Sequence, residues 1–366
     1  MIENVLLLGN GFNYTILNFI KDDILRKEVS DIINLWNKFN DFFGEIRKIE
    51  KFENWSDESI IDIVDGSIKI LRRLPHLENE DLKECLENIE NTFFEEINNK
   101  LLDFVEKFIK AEIEDIYKRI LSFYNNHIDC NLYDFIVKNK MSVYTTNYDG
   151  IAEVILAYDK NGVNNGNKIK LRDMFGKLKN DGCNVYNDEF EDFCNVFDPD
   201  NYFRDENESK LIHLHGSYKY FLYSNTSDCF VKIKSDDWNF YEKNKNKLTP
   251  IIVFGAKNYK EKQINNFQIL VSYFESFKNE IRNAKNIIIW GQSLENDPHI
   301  EKAIKKFFID MNYNKNESKN IILVDVNSEH KVKELLEGNK LYFYHINPNN
   351  FSNLKELFEE LINKST

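Results

Sequence analysis

Two short runs in the middle of the chain place side chains suited to acid–base chemistry directly after apolar segments. Thr145-Thr-Asn-Tyr-Asp149 offers the amide of Asn147, which both donates and accepts hydrogen bonds, and the carboxylate of Asp149. Leu211-Ile-His-Leu-His-Gly-Ser217 offers His215, whose ordinary pKa suits a general base at neutral pH. Both runs also have a plain structural explanation. The first could cap the helix that follows it, and a lone strand histidine is more often structural than catalytic.

A glycine-rich turn near the start of the chain is a candidate phosphate site. Small residues let the backbone approach a phosphate, and the N-terminus of a helix presents free amides and the positive end of the helix dipole. Because the turn is not a full G-x-G-x-x-G, an ordinary tight turn remains the alternative. Its residues are Gly9, Asn10, Gly11, Phe12 and Asn13.

Two later apolar runs end in polar residues of a related kind. Gly291 and Ser293 follow one run, and Asp325 and Asn327 lie at the end of the next. Carboxylates and amides in such places hydrogen-bond ribose hydroxyls in dinucleotide-binding proteins. Taken singly, each is also a common turn residue.

Bound metal is not expected from the spacing of the possible ligands. His213 and His215 alternate along a strand, so their side chains point to opposite faces, and we expect His213 to be structural. The five cysteines are scattered, with no C-x-x-C pair, which argues against a zinc ribbon and a disulfide framework. We therefore expect no metal and reduced structural thiols.

Apolar runs of strand length precede these polar groups. They lie at 4–8, Met141–Thr146, Leu211–Leu214, Ile251–Phe254, Ile287–Trp290 and Ile321–Val326. Several are unbroken β-branched runs, as expected for strands buried on both faces of a parallel sheet. Helical patterns cover Phe267–Asn283, Glu301–Asn312 and Asn353–Asn363. The chain is therefore predicted to be an α/β protein with a Rossmann-like parallel sheet, whose carboxyl edge collects the polar residues.

The section from about residue 20 to residue 140 has a helical pattern instead, with apolar residues at three- and four-residue steps. It predicts a large helical insertion within one domain spanning 1–366. We expect its phenylalanines to form the interface of a homo-oligomer, the alternative being a helical subdomain that buries them internally. They include Phe42, Phe43, Phe93, Phe94, Phe104 and Phe108.

Composition excludes several other classes. The 366 residues are 42% hydrophobic and 30% charged, which is typical of a globular chain rather than a disordered one. A net charge of −13 opposes direct binding to nucleic acid. The apolar run Val5–Leu8 is too short for a signal peptide or a membrane span, so a cytoplasmic protein is expected. The acidic, irregular stretch 181–209 is expected to be a long surface excursion.

The order of these motifs along the chain resembles that of the sirtuin (SIR2-like) superfamily. The turn at Gly9 is similar to the sirtuin Gly-Ala-Gly element, and Thr145–Asp149 is similar to its Thr-Gln-Asn-hydrophobic-Asp motif. His215 with Gly216 matches the catalytic histidine. Gly291-Gln-Ser-Leu294 is similar to the Gly-Thr-Ser-Leu strand end. The opening also resembles AbiH-type abortive-infection proteins, and the later Asp-Pro resembles SIR2-like domains of bacterial antiphage defence.

The resemblance spans residues 4–20 and 141–330 and implies a site that binds NAD and cleaves its nicotinamide–ribose bond. Its catalytic residues are then Asn147 and His215. Contacts to NAD are implied for Gly9, Asn10, Gly11, Phe12, Asn13, Asp149, Gly291, Ser293, Asp325 and Asn327. Deacylase sirtuins carry four zinc cysteines after the histidine, whereas only Cys229 lies between His215 and Gly255 here. Deacylation is therefore disfavoured, and water is the expected acceptor.

These features together predict an NAD hydrolase that releases nicotinamide and ADP-ribose as an effector of antiphage abortive infection. Domains of this kind often act with a separate ATPase, nuclease or Argonaute-like protein, so the resemblance implies a partner. An alternative is a non-catalytic scaffold that binds NAD or ADP-ribose and regulates a partner protein.

Overall fold

Two β-sheets, one parallel and one antiparallel, form the framework of the computed structural model. The structure describes residues 3–35, 99, 101–127, 132–156, 171–176, 194–198, 209–223, 229–234, 238–254, 257–309, 319–326, 332, 334 and 341–365. The strands are β1 (Asn4–Leu8), β2 (Met141–Thr145), β3 (Phe175–Gly176), β4 (Cys194–Phe197), β5 (Leu211–His213), β6 (Gly216–Tyr223), β7 (Cys229–Ile233), β8 (Leu248–Ile252), β9 (Asn286–Trp290), β10 (Lys319–Val324) and β11 (Leu341–Ile346).

Helices connect and flank these strands. They are α1 (Asn10–Phe19), α2 (Asp23–Ile33), α3 (101–113), α4 (Ile116–His127), α5 (Leu132–Lys138), α6 (Ile151–Leu156), α7 (Trp238–Asn244), α8 (Lys257–Asn266), α9 (Gln268–Asn283), α10 (Pro298–Ala303) and α11 (Leu354–Ser365). A π-helical stretch, Ile304–Ile309, continues α10, and short 3₁₀ turns cover Lys245–Lys247 and Pro348–Asn350. None of the helices in the described ranges is long and apolar enough to span a bilayer.

The parallel sheet has the strand order β11-β10-β9-β1-β2-β5. All five of its strand pairs are parallel, and β1 pairs with β2 on one side and with β9 on the other. Counted along the chain within this sheet, the order is 3-2-1-4-5-6, which is that of the doubly wound dinucleotide-binding sheet. The chain is thus α/β, and its sheet is compatible with a Rossmann-like fold.

Alternation along the central strands explains why their sequences are apolar throughout. In β1, Val5 and Leu7 belong to one buried cluster with helix α9, while Leu6 and Leu8 belong to a second cluster with α1, α2, α3 and α11. The residues Ile287–Trp290 alternate between the same two clusters. Because successive side chains point to opposite faces, a sheet covered by helices on both sides needs apolar residues at every position.

The antiparallel sheet was not predicted from the sequence. Its order is β3-β4-β7-β6-β8, and its longest strand, β6, begins directly after His215. The predicted strand Ile251–Phe254 was assigned wrongly to the parallel sheet: Ile251 and Ile252 belong to β8, which pairs antiparallel with β6. Within the predicted surface excursion 181–209, residues Cys194–Phe197 form β4, which pairs with β7.

The described part of the predicted helical section 20–140 consists of α2 to α5. Helix α2 contacts α1 and α4, and both α4 and α5 contact α6. Phe104 and Phe108 on α3 are 1% and 3% exposed, so these two phenylalanines lie in the interior of the chain and not on an open surface. The other four named phenylalanines lie outside the described residues.

Candidate functional site

A cavity with a volume of about 420 Å³ lies at the carboxyl edge of the parallel sheet. Residues that line it follow β1, β2, β5, β9 and β10. Doubly wound sheets bind ligands at this edge, and the volume lies within the range of roughly 300–1,000 Å³ for small-molecule sites. The predicted residues that line the cavity are Asn10, Asn147, Asp149, His215, Gly291, Ser293 and Asp325.

One wall of the cavity is apolar and comes from the helical section. Ile32 and Ile33 of α2, together with Phe104 and Phe108 of α3, line it beside Tyr148. The rings of Phe104 and Phe108 meet edge to face with their centroids 4.9 Å apart. The helical section therefore forms part of the cavity wall, although it lies outside residues 4–20 and 141–330, which the resemblance covers.

The glycine turn brings two loops together backbone to backbone. Gly291 has a φ of +64°, and a Cβ atom there would lie 2.3 Å from the Cα of Gly11. The amide of Gly11 donates to the carbonyl of Gly291 over 3.0 Å. These two glycines are thus required by the contact between the β1–α1 and β9–α10 loops, and Gly291 lines the cavity while Gly11 lies behind it.

The N-terminus of α1 lies beside this contact. Asn10 is its first residue and lines the cavity. The amides of Gly11 and Phe12 already donate to the carbonyls of Gly291 and Gly9, and the first turn has no acidic residue. The amide of Asn10 has no hydrogen-bond partner among the described residues, so it can bind an anionic group together with the positive end of the helix dipole.

Asn147 is held by two hydrogen bonds that use its amide nitrogen. Nδ2 donates to the carbonyl of Gly9 over 3.2 Å and to Oδ1 of Asn13 over 3.1 Å. Its Oδ1 has no hydrogen-bond partner among the described residues. Asn147 is 7% exposed and lines the cavity. Because both hydrogen bonds use Nδ2, its Oδ1 is the atom that can accept a hydrogen bond there.

Asp149 has the capping role that the sequence left open as an alternative, and it also lines the cavity. Its Oδ1 accepts the amide of Ile151 at the start of α6 over 2.9 Å, and its Oδ2 accepts Nδ2 of Asn13 over 2.7 Å. Burial raises the pKa of Asp149, and these hydrogen bonds oppose that rise without cancelling it. Asn13 thus lies behind the cavity and links Asp149 to Asn147.

His213 does not line the cavity, but His215 lies in the turn after β5 and not on the strand as predicted. It is fully buried, and its Nδ1–H donates to the backbone carbonyl of Asn147 over 2.8 Å. Its Nε2 lies 3.5 Å from Oε1 of Glu153. The histidine therefore supports the loop that carries Asn147 without lining the cavity.

His215 lines the cavity and contacts a group of residues that the sequence analysis missed. Its Nε2 lies 3.0 Å from Nε2 of His299 and 3.6 Å from Oδ1 of Asp297. Asp297 also accepts from Lys260 over 3.2 Å and from the side-chain amide of Gln292. A signal for Asp297 and His299 was present in the Asp-Pro-His sequence, whose resemblance to defence SIR2-like domains was noted without assigning either residue to the site. No pattern in the sequence indicates that Lys260 belongs to this group.

Burial changes the acid–base properties expected of these histidines. Loss of solvent lowers the pKa of His215 to about 3, because it outweighs the opposing effect of Asp297. The same balance lowers the pKa of His299 to about 4. Both imidazoles are therefore neutral at neutral pH, so His215 can accept a hydrogen bond but is a weaker base than an ordinary histidine.

Burial also acts on Asp297, where it favours the neutral form. His215 and Lys260 outweigh this effect and keep the pKa of Asp297 below its usual value. The group beside the cavity thus consists of two neutral imidazoles, a carboxylate and an ammonium.

The expectation that no metal binds considered only the cysteines and the pair His213 and His215. The structure brings together a different set, because ligand atoms of His215, Asp297 and His299 all lie within 4.8 Å of one another. All three residues are buried. The ammonium of Lys260 already neutralises the carboxylate in this set, which opposes the binding of a second cation.

Two further predicted residues, apart from Gly11 and Asn13, do not line the cavity. Phe12 is fully buried and packs edge to face on Trp290, with ring centroids 5.1 Å apart. Gly9 contributes its carbonyl to Asn147 from behind the cavity. Asn327 lies outside the described residues.

No protein-family model matches the chain, and no curated protein is similar to it in sequence at a significant level.

Proposed function

We propose that this chain is an NAD hydrolase with a SIR2-like fold and a large helical insertion, and that it cleaves NAD to nicotinamide and ADP-ribose. The observation that carries the proposal is the meeting of Asn147 and His215 at one cavity, at the carboxyl edge of a sheet with dinucleotide-binding strand order. The two residues are the catalytic pair implied by the resemblance.

The donors and acceptors of the cavity suit the parts of NAD. The N-terminus of α1 at Asn10 suits the pyrophosphate. Asp325, which follows β10, offers a carboxylate for ribose hydroxyls. The apolar wall that includes Phe104 suits an aromatic ring. The free acceptor atom of Asn147 suits a ribose hydroxyl or a water molecule.

The proposed reaction needs little acid–base power from the protein. The C1′–N bond of the nicotinamide riboside breaks and leaves neutral nicotinamide, so no acid has to protonate the leaving group. A water molecule forms the new C–O bond at C1′ and loses one proton, which passes through a hydrogen-bonded acceptor to solvent. A neutral His215 can accept that hydrogen bond, and Asn147 can orient the water or the ribose.

The proposed biological role is that of an antiphage effector that depletes NAD on activation. It is supported by the Gly-Asn-Gly-Phe-Asn opening and by the Ser-Leu-Glu-Asn-Asp-Pro run, which resemble defence proteins. We also propose a homo-oligomer and a separate partner such as an ATPase, nuclease or Argonaute-like protein. Light scattering of the purified chain at micromolar concentration, alone and with its genomic neighbour, tests the assembly, and a monomer in both samples contradicts it.

The direct test of the activity is incubation of purified protein with NAD, followed by chromatographic measurement of nicotinamide and ADP-ribose. Equal release of both products, lost in His215→Ala and kept in Asn283→Ala, supports hydrolysis. Asn283 is a matched control because it is an exposed side chain at the end of α9. Binding of NAD by calorimetry without nicotinamide release, with and without the genomic neighbour, would instead favour the scaffold function.

A further inference from the structure

We propose that His299 is a positioning residue for His215: it accepts a hydrogen bond from Nε2–H of His215 and so leaves the lone pair on Nδ1 of His215. The proposal concerns which nitrogen of His215 carries its proton. Its consequence for the rate rests on the proposed NAD hydrolysis, whereas the tautomer itself does not.

The contact between the two histidines requires an ordered proton. Their Nε2 atoms are 3.0 Å apart, which is a normal hydrogen-bond distance. Both side chains are buried, at 2% and 7% exposure, so no solvent can separate them. Two lone pairs or two protons facing each other would repel, so one Nε2 donates and the other accepts.

Asp297 determines which of the two nitrogens donates. Its Oδ1 lies 3.6 Å from Nε2 of His215, and a carboxylate favours a proton on a neighbouring nitrogen. Lys260 and Gln292 bind the two oxygens of Asp297 and hold the carboxylate in place. The proton is therefore expected on Nε2 of His215. His299 then accepts it with its own Nε2 and carries its own proton on Nδ1, which is buried and has no hydrogen-bond partner among the described residues.

The other nitrogen of His215 is then available for chemistry. Nδ1 has no hydrogen-bond partner among the described residues, and His215 lines the cavity. With the proton on Nε2, Nδ1 carries a lone pair that can accept a hydrogen bond from a water molecule or a ribose hydroxyl. With the opposite tautomer, Nδ1 would be a donor and could not take a proton.

A metal ion is the competing explanation for this cluster. Two imidazole nitrogens and a carboxylate oxygen at these separations could also surround a divalent cation. The ammonium of Lys260, 3.2 Å from the same carboxylate oxygen, opposes that arrangement. The two explanations differ in what the protein contains, so the experiment measures metal content as well as the tautomer.

The experiment compares the wild type with His299→Gln, which keeps a side-chain acceptor, and His299→Leu, which has none. Long-range ¹H–¹⁵N correlation spectra of ¹⁵N-histidine-labelled protein report the tautomer of each imidazole, and His215→Gln assigns the His215 signals. We expect the Nε2–H tautomer of His215 in the wild type and in His299→Gln, and a share of the Nδ1–H tautomer in His299→Leu. The Nδ1–H tautomer in the wild type overturns the proposal.

Kinetics supply the second readout. His299→Leu is expected to lower kcat about 10–100-fold with little change in KM, as is typical when the group that orients a functional histidine is lost, and His299→Gln several-fold less. Equal losses in both folded variants contradict positioning by a hydrogen bond. Stoichiometric metal in protein purified without a metal-binding tag, lost in His299→Leu, also overturns it. If the wild type releases no nicotinamide, the proposed function fails while the spectra still decide the tautomer.

Discussion

His213 and His215 are two residues apart, yet they lie in opposite kinds of polar surroundings. His213 faces Glu153, which is bound by Lys232 over 3.1 Å and lies 3.6 Å from Lys219, in a sealed network between α6 and the antiparallel sheet. His215 faces the cavity, with His299 and Asp297 behind it. His213 is the last residue of β5, whereas His215 lies in the turn that leads from β5 to β6, and this turn separates the two environments.

The ion pairs around Glu153 stabilise the fold, whereas the ion pair of Asp297 lies at the candidate site. Burial alone would raise the pKa of Glu153, but Lys232 and Lys219 outweigh it and hold that pKa well below its usual range. No residue of that network lines the cavity. The carboxylate of Asp297 is also paired with a lysine, but it lines the cavity next to an imidazole with an unused nitrogen. The charges of the first network are paired within the protein, although Nε2 of His213 is buried there without a hydrogen bond, whereas the second network borders the cavity.

The largest expected effect is on the cavity side. If the proposed hydrolysis is correct, His215→Ala and Asn147→Ala should each lower nicotinamide release by about 10²–10⁴-fold, because each removes a group proposed to contact the water or the ribose. The free energy of unfolding should remain sufficient for a folded protein, as circular dichroism can check. An unchanged rate in folded His215→Ala would remove His215 from the mechanism.

The next largest expected effect is a loss of stability when the buried network around Glu153 is changed. Glu153→Ala removes the carboxylate that two buried lysines share. Because Lys219 keeps Glu112 and Lys232 keeps Asp173, the loss should be smaller than that of a buried charge without any partner, and about 1–3 kcal/mol is expected. Urea denaturation measures the change.

Glu114→Ala on the exposed end of the helical section is the control, since its pair with Lys110 is open to solvent and should contribute under 1 kcal/mol. Similar small losses in both variants would contradict the proposed difference between the networks.

His213→Ala tests whether the two neighbouring histidines differ in function. Removing its hydrogen bond to the carbonyl of Asn147 leaves a buried acceptor unsatisfied, which should lower stability by about 1–3 kcal/mol. Its effect on nicotinamide release should be much smaller than that of His215→Ala, because His213 does not line the cavity. An equal loss of kcat in a variant of normal stability would show that the wrong histidine was assigned to catalysis.

The smallest expected effect is the dependence of stability on pH. In the folded protein the pKa values of His215 and His299 are lowered from 6.5 to about 3 and about 4, so as pH falls below 6.5 the unfolded chain binds protons first. Stability is therefore full above pH 6.5 and declines toward the folded pKa values. Between pH 6.5 and 5.5 each histidine should account for about 1 kcal/mol. Denaturant unfolding of His299→Gln should show a shallower decline, and an identical slope would contradict it.

Strands that are marked by a local sequence pattern could be predicted, whereas strands that depend on contacts between distant residues could not. The strands β1, β2, β5, β9 and β10 could be predicted because burial on both faces leaves continuous apolar runs. The antiparallel sheet could not, since Lys219 and Lys232 lie within its strands β6 and β7 and are paired only by tertiary contacts. Their charge interrupts the apolar alternation by which a strand is normally predicted.

The sequence by itself determined that Asn147 and His215 meet. Each directly follows a strand of a parallel sheet, and the ends of such strands share one edge. The tertiary structure decided what lies behind them. Lys260 at the start of α8 and His299 on α10 reach His215 only because those helices pack beside the edge. No local sequence pattern predicts these contacts. They depend on how the two helices pack, and the spacing of apolar residues within each helix does not specify that packing.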